Sequence, residues 1–108
     1  MGGSVRTAAP NAKYAPAVTA FEDSVRTVLR DTRPGEVLTY GEVAAEAGYP
    51  GAARAVGNYL RRTDDEVPWH RVVGAGDRIV SRCAAEQADL LRAEGLDVRG
   101  ARVRRRDA

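Results

Sequence analysis

The chain has a single cysteine, Cys83, and a single histidine, His70. It can therefore form no disulfide within itself, and no Cys/His metal cluster is expected. Long apolar runs are missing. None approaches the roughly 18 residues of a membrane span, and none follows a basic N-terminus as in a signal peptide. An intracellular, cytoplasmic location is the expectation, with no membrane partner. Aromatic residues are scarce at 6%, and Trp69 is the only tryptophan. Lysine is almost absent, since Lys13 is the only one among 17 basic side chains. The positive charge is thus nearly all arginine. Base composition of the gene explains such a bias, and arginine also suits phosphate and base-edge contacts through its planar fork.

What is present describes one small domain. A chain of 108 residues buries only about 60–65% of its unfolded surface, enough for one modest core. The hydrophobic fraction of 44%, charged fraction of 30% and net charge of +2 are ordinary for a globular protein.

Residues 1–15 lack periodicity and read as a flexible N-terminal leader. Val18, Phe21, Val25, Val28 and Leu29 then recur at helical spacing. Thr19 followed by Glu22 reads as a capping box for that helix. Pro34-Gly35 forces a turn. Thr39-Tyr40-Gly41-Glu42 has capping-box form, and a short helix through Val43, Ala44 and Ala45 should stop at Gly48 in a left-handed cap. Tyr49-Pro50-Gly51 predicts a tight turn with Pro50 at a helix start, and a second helix covers about 51–62. Two short helices so joined form the helix-turn-helix pattern. On the second, Ala53, Val56, Gly57 and Leu60 share an inward face, while Arg54, Asn58 and Arg61 share the opposite one. That outward stripe suits docking on DNA and equally suits a solvated face.

After an acidic loop, Asp64-Asp65-Glu66, comes Val67-Pro68-Trp69-His70-Arg71-Val72-Val73. Gly74-Ala75-Gly76-Asp77 is a predicted turn, and Ile79-Val80 a very short strand. A last helix over about 84–94 turns Ala88, Leu91 and Ala84 inward and ends at Gly95. Val98 and Val103 should form a hairpin or wing around Gly100. Arg102, Arg104, Arg105 and Arg106 make residues 102–108 a disordered basic tail that adds nonspecific phosphate attraction.

The Pro-Trp-His-Arg-Val run resembles the active-site motif of the O6-alkylguanine-DNA alkyltransferase family, Pro-Cys-His-Arg-Val, with tryptophan in the cysteine's place. This is the form found in alkyltransferase-like proteins. Thr39-Tyr40-Gly41-Glu42-Val43-Ala44 is similar to the family's first helix of the helix-turn-helix. Ala52-Ala53-Arg54-Ala55-Val56-Gly57 is similar to its recognition helix, and Leu91-Arg92-Ala93-Glu94-Gly95 to its closing helix. The resemblance runs from about Phe21 to Gly95. It implies a mainly α, winged helix-turn-helix-like DNA-binding domain of the alkyltransferase C-terminal type over residues 16–101.

The resemblance also implies roles. Arg54 is the finger that enters the duplex and fills the gap left by an everted nucleotide; a guanidinium can stack on bases and donate to the orphaned cytosine. Tyr40 crowds the phosphate and lies near the flipped purine. Trp69 offers an aromatic wall to the base, with backbone groups of Trp69 and Val72 reading the guanine edge. His70 and Glu94 match residues that activate the missing thiol, so they are expected to keep a structural network that holds the pocket shape, with His70 itself among the lesion-pocket residues. Ser81 and Arg82 are candidate lid residues of the pocket, Asn58 and Arg61 candidate DNA contacts, and Arg71 is expected to brace the pocket or a phosphate of the DNA. The acidic loop would repel phosphate and should face away from the duplex. The loop between Leu60 and Val67 departs from the family's active enzymes, with no clear counterpart of their hinge asparagine.

The expected function is a non-enzymatic sensor of O6-alkylguanine in double-stranded DNA. It would act as a monomer by nucleotide flipping, without metal or cofactor, and would pass lesions to nucleotide excision repair proteins. An indole cannot accept an alkyl group. Two rivals remain: alkyl transfer to Cys83, which has no adjacent histidine in sequence, and a transcriptional regulator whose Arg54, Asn58 and Arg61 read undamaged bases.

Overall fold

The computed structural model describes residues 15–105, with side chains from residue 19 onward. The leader through residue 14, the side chain of Val18 and Arg106 lie outside the described residues. Helix α1 spans Ala15–Arg30, α2 Tyr40–Glu46, α3 Ala53–Arg62 and α4 Ala84–Ala93. Two-residue strands β1 (Leu38–Thr39) and β2 (Val72–Val73) pair in parallel, and β3 (Asp97–Arg99) pairs antiparallel with β4 (Arg102–Arg104). The result is the mainly helical, winged helix-turn-helix-like arrangement. No helix among the described residues is long and apolar enough to cross a membrane.

Strand β2 organises the interior. Successive strand residues face opposite ways, so Val72 joins Val25, Leu29, Val43, Val56 and Tyr59 in the cluster beneath the helix-turn-helix. Val73 joins Ile79, Ala88, Leu91, Val98 and Val103 beneath α4 and the hairpin. The register Leu38↔Val72 and Thr39↔Val73 joins the segment before Tyr40 to the segment after His70. Nothing in the hydrophobic pattern of either dipeptide predicts that pairing.

Caps fix the helices that matter. Thr39 Oγ1 accepts from the Glu42 amide at 3.0 Å and Glu42 Oε1 from the Thr39 amide at 2.8 Å. A cap of this kind is worth about 1 kcal/mol. At the other end of α2, the Gly48 amide donates to the Ala45 carbonyl and the Tyr49 amide to the Ala44 carbonyl. Gly48 takes φ +96, a left-handed value that a Cβ would strain. Helix α4 ends alike, with Gly95 to Arg92 and Leu96 to Leu91. That closure fixes the position of Glu94.

Several expectations change. Thr19-Glu22 is no capping box, because α1 begins four residues earlier at Ala15; Pro16 falls in the first turn, where a missing amide costs nothing. Helix α3 starts at Ala53, since Gly51 adopts φ +91 and leaves Pro50 in the turn. Ile79 and Val80 form no strand: Ile79 donates once, to the Ala101 carbonyl, and Val80 is 61% exposed. Ala84 is exposed rather than inward. The basic tail does not begin at Arg102. Residues Arg102–Arg104 are β4, with Val103 buried against Val98. Arg105 bridges Asp77, at 2.8 Å, and Glu42, at 2.6 Å. Those hydrogen bonds from Arg105, with that from the Thr39 amide, hold the Glu42 carboxyl below its usual range.

Candidate nucleic-acid interface

The inward face of α3 differs from the one the spacing suggested. Val56 and Tyr59 are buried, and the Tyr59 hydroxyl donates to Asp65 Oδ2 at 2.7 Å. Asp65 also accepts from Arg26 Nε at 3.0 Å, so the acidic loop is fastened to α1. Ala53, Gly57 and Leu60 are half-buried and line a cleft of about 940 Å³, Leu60 also packing against the core. Tyrosine's amphipathic ring concealed its own place on the inward face.

That cleft is where the predicted residues meet. Tyr40, Arg54, Arg61, Trp69, Val72, Ser81 and Arg82 all line it. The β1–β2 pairing brings Tyr40 to Trp69, and the packing of α2 on α3 brings Arg54 to both. Tyr40 is half-buried, and burial pushes its phenol upward, against the opposing charge of Arg61. A Cβ at Gly57 would lie 3.8 Å from the Tyr40 ring, so the ring packs directly over α3. Arg54 is exposed at the cleft margin and makes no ion pair among the described residues. Arg61 also lines the cleft, but it donates to Asn58, which does not line it.

Trp69 opens a three-residue 3₁₀ turn, Trp69–Arg71, and is half-buried, its ring edge-on to His70 at 6.2 Å. The backbone groups here already have partners. The Val72 amide donates to the Trp69 carbonyl, the Trp69 amide to the Val67 carbonyl at 2.7 Å, and the Val72 carbonyl accepts from Gln87 at 2.8 Å. Only the second lone pairs of those two carbonyls remain for a base edge.

Behind the cleft, His70 Nε2 lies 2.7 Å from Glu94 Oε2. Arg71 donates from Nε and Nη2 to Glu94, and from Nη1 to the Thr32 carbonyl at 3.0 Å. The Gly35 amide donates to Glu94 Oε1 at 2.8 Å. Burial pushes the Glu94 carboxyl up, but the hydrogen bonds from Arg71, Gly35 and His70 outweigh it and bring the pKa down to about 2. Arg71 was expected to brace the pocket or a phosphate of the DNA. Most of its donors are committed inside the protein, to Glu94 and Thr32.

Cys83, weighed from the sequence as an alternative alkyl acceptor, is exposed at the start of α4 and lines the same cleft. The residue that sequence reasoning missed is Gln87, buried on α4.

Residues 20–96 match the model of the 6-O-methylguanine DNA methyltransferase DNA-binding domain. The chain belongs to that family. Members of the 6-O-methylguanine DNA methyltransferase family similar to it include DNA base-flipping proteins and methyltransferases. A DNA base-flipping protein of Vibrio parahaemolyticus is 40% identical over 72% of this chain and 82% of its own. A methylated-DNA–protein-cysteine methyltransferase of Methanosarcina acetivorans is 38% identical over 81% of this chain, which spans 51% of that enzyme. Among solved structures, S. pombe Atl1 in complex with damaged DNA containing O6-carboxymethylguanine superposes with a TM-score of 0.68. The two are 32% identical over 75% of this chain and 81% of Atl1.

Proposed function

We propose that this protein binds O6-alkylguanine in duplex DNA by rotating the nucleotide into the cleft, and that it transfers no alkyl group. The observation that carries the reading is Trp69 on the cleft wall. An indole has no lone-pair nucleophile to displace guanine from an alkyl carbon, but it supplies apolar area and a polarisable face to a purine. Arg54, exposed at the cleft margin, is the side chain to enter the duplex and stack in the vacated position. Tyr40, half-buried at the capped start of α2, would crowd the phosphate of the turning nucleotide. The solved complex of Atl1 with O6-carboxymethylguanine DNA and the name of the Vibrio relative support the same reading.

His70 and Glu94 then serve as a brace. With Arg71 they pin the 3₁₀ turn to the loop before β1 and hold Trp69 against the cleft. A protein that grips a lesion without removing it must surrender it, and the recipient we propose is the nucleotide excision repair machinery. The protein acts as a monomer.

Matched duplexes bearing guanine, O6-methylguanine or a bulkier adduct, titrated in competition, test the binding. Preference for the lesion in any sequence supports it. Preference for one sequence regardless of alkylation would make the protein a regulator of transcription. Cys83 shares the cleft, so intact mass is measured after incubation. Methyl transfer would replace the thiol proton and add about 14 Da, and that gain would overturn the non-enzymatic reading.

A further inference from the structure

Gln87 is 1% exposed and is the one buried polar side chain among the described residues. Its Nε2 donates to the His70 carbonyl at 2.9 Å and to the Val72 carbonyl at 2.8 Å. Its Oε1 accepts from the Ser81 hydroxyl at 2.8 Å. Both amide hydrogens and one acceptor position are thus committed, each to the segments that form the cleft.

The His70 carbonyl is one that the short helical turn leaves without an internal partner, and the Val72 carbonyl belongs to the strand residue that closes the turn. A 3₁₀ turn of three residues holds itself poorly, and the last carbonyls of any helix need acceptance from outside. Here that help comes from one side chain on α4. Trp69 is the first residue of the turn so held, and Ser81 also lines the cleft.

We infer that Gln87 is the positioning residue of the cleft: it fixes the Trp69–Val72 floor and ties it to the Ser81 rim, and so sets the preference for a modified base. It touches no DNA itself. It hydrogen-bonds to no residue of α3, so contacts of that helix with undamaged duplex should not depend on it. The inference rests on the proposed lesion binding for its functional consequence, but its structural half can be read without DNA.

Trp69 is the only tryptophan, so its emission reports the floor directly. In the free Gln87→Met variant, which keeps the length but loses every hydrogen bond, the emission should shift from that of the wild type. Preference for O6-methylguanine duplex over its unmodified match should fall about tenfold, as both hydrogen bonds to the floor and the one from Ser81 are lost. Affinity for the unmodified duplex should stay within about twofold. Ser81→Ala should lower the preference about threefold, and should have no further effect when added to Gln87→Met, because Ser81 acts through Gln87.

A folded Gln87→Met variant with wild-type emission and preference would overturn the inference. So would equal loss of affinity for both duplexes. Where Gln87→Met fails to fold, Ser81→Ala decides: a lowered preference supports the inference and an unchanged one refutes it. Wild-type protein that shows no lesion preference would sink the proposed function instead, and the emission of the free variant would still decide the role of Gln87.

Discussion

Replacing Glu94 by glutamine should cost this protein about 3 kcal/mol. Glu94 is 14% exposed and Arg71 12%, so solvent screens their pairing little. The Glu94 carboxyl falls from the ordinary 4.5 to about 2 in the folded protein. At about 1.4 kcal/mol for each tenfold change in proton affinity, the ionised form is favoured by about 3 kcal/mol. Glutamine keeps one acceptor oxygen, but turns an N–H₂ toward donors of Arg71 or His70 and leaves the guanidinium buried without its counter-charge. For a domain of this size the melting temperature should drop by roughly 10–20 °C. The pH dependence gives a second signature. Because the folded-state pKa is depressed, the stabilisation is fully present above the unfolded value of 4.5 and is lost as pH falls toward 2. Thermal unfolding from pH 6 to pH 2 should show that loss in the wild type, with the Glu94→Gln variant correspondingly flatter. A variant that melts within about 3 °C of the wild type, or acid profiles that superimpose, would refute the reasoning.

Arg54→Ala should weaken lesion binding by tenfold or more, as expected for a stacked, charge-bearing anchor, with little change in melting temperature; an electrophoretic titration checks both duplexes. Arg102→Gln with Arg104→Gln should reduce the slope of log affinity against log salt by about 1–2 if each side chain meets one phosphate, and should leave lesion preference unchanged. Arg105 behaves otherwise: Arg105→Gln should lower stability by about 1 kcal/mol, because it binds Glu42 and Asp77, and denaturant titration separates that loss from any effect on DNA.

The helix-turn-helix was legible because its signals are local. A capping box at Thr39, a left-handed glycine at Gly48 and a 3.6-residue repeat each specify structure within a few residues. The cleft was legible through motif residues, for Tyr40, Arg54, Trp69 and Ser81 do meet there. What failed was non-local. Pairing of Leu38-Thr39 with Val72-Val73 spans more than thirty residues and leaves no periodicity to read. Tyr59 was passed over because its ring is amphipathic, so the inward face of α3, which Val56 and Leu60 do share, was drawn without it. Arg71 could have braced either the pocket or a phosphate, and only the fold brings Glu94 and Thr32 around it. Gln87 did carry a signal: it lies four residues before Leu91 on the apolar face of α4, where a polar side chain needs a reason.

The central claim is that an alkylated base enters the cleft and lies against Trp69. Fluorescence of that lone indole, titrated with O6-methylguanine duplex and with its unmodified match, tests this most directly. Saturable quenching by the modified duplex is expected at concentrations where the unmodified one leaves the emission nearly unchanged. Identical responses to the two duplexes would contradict it.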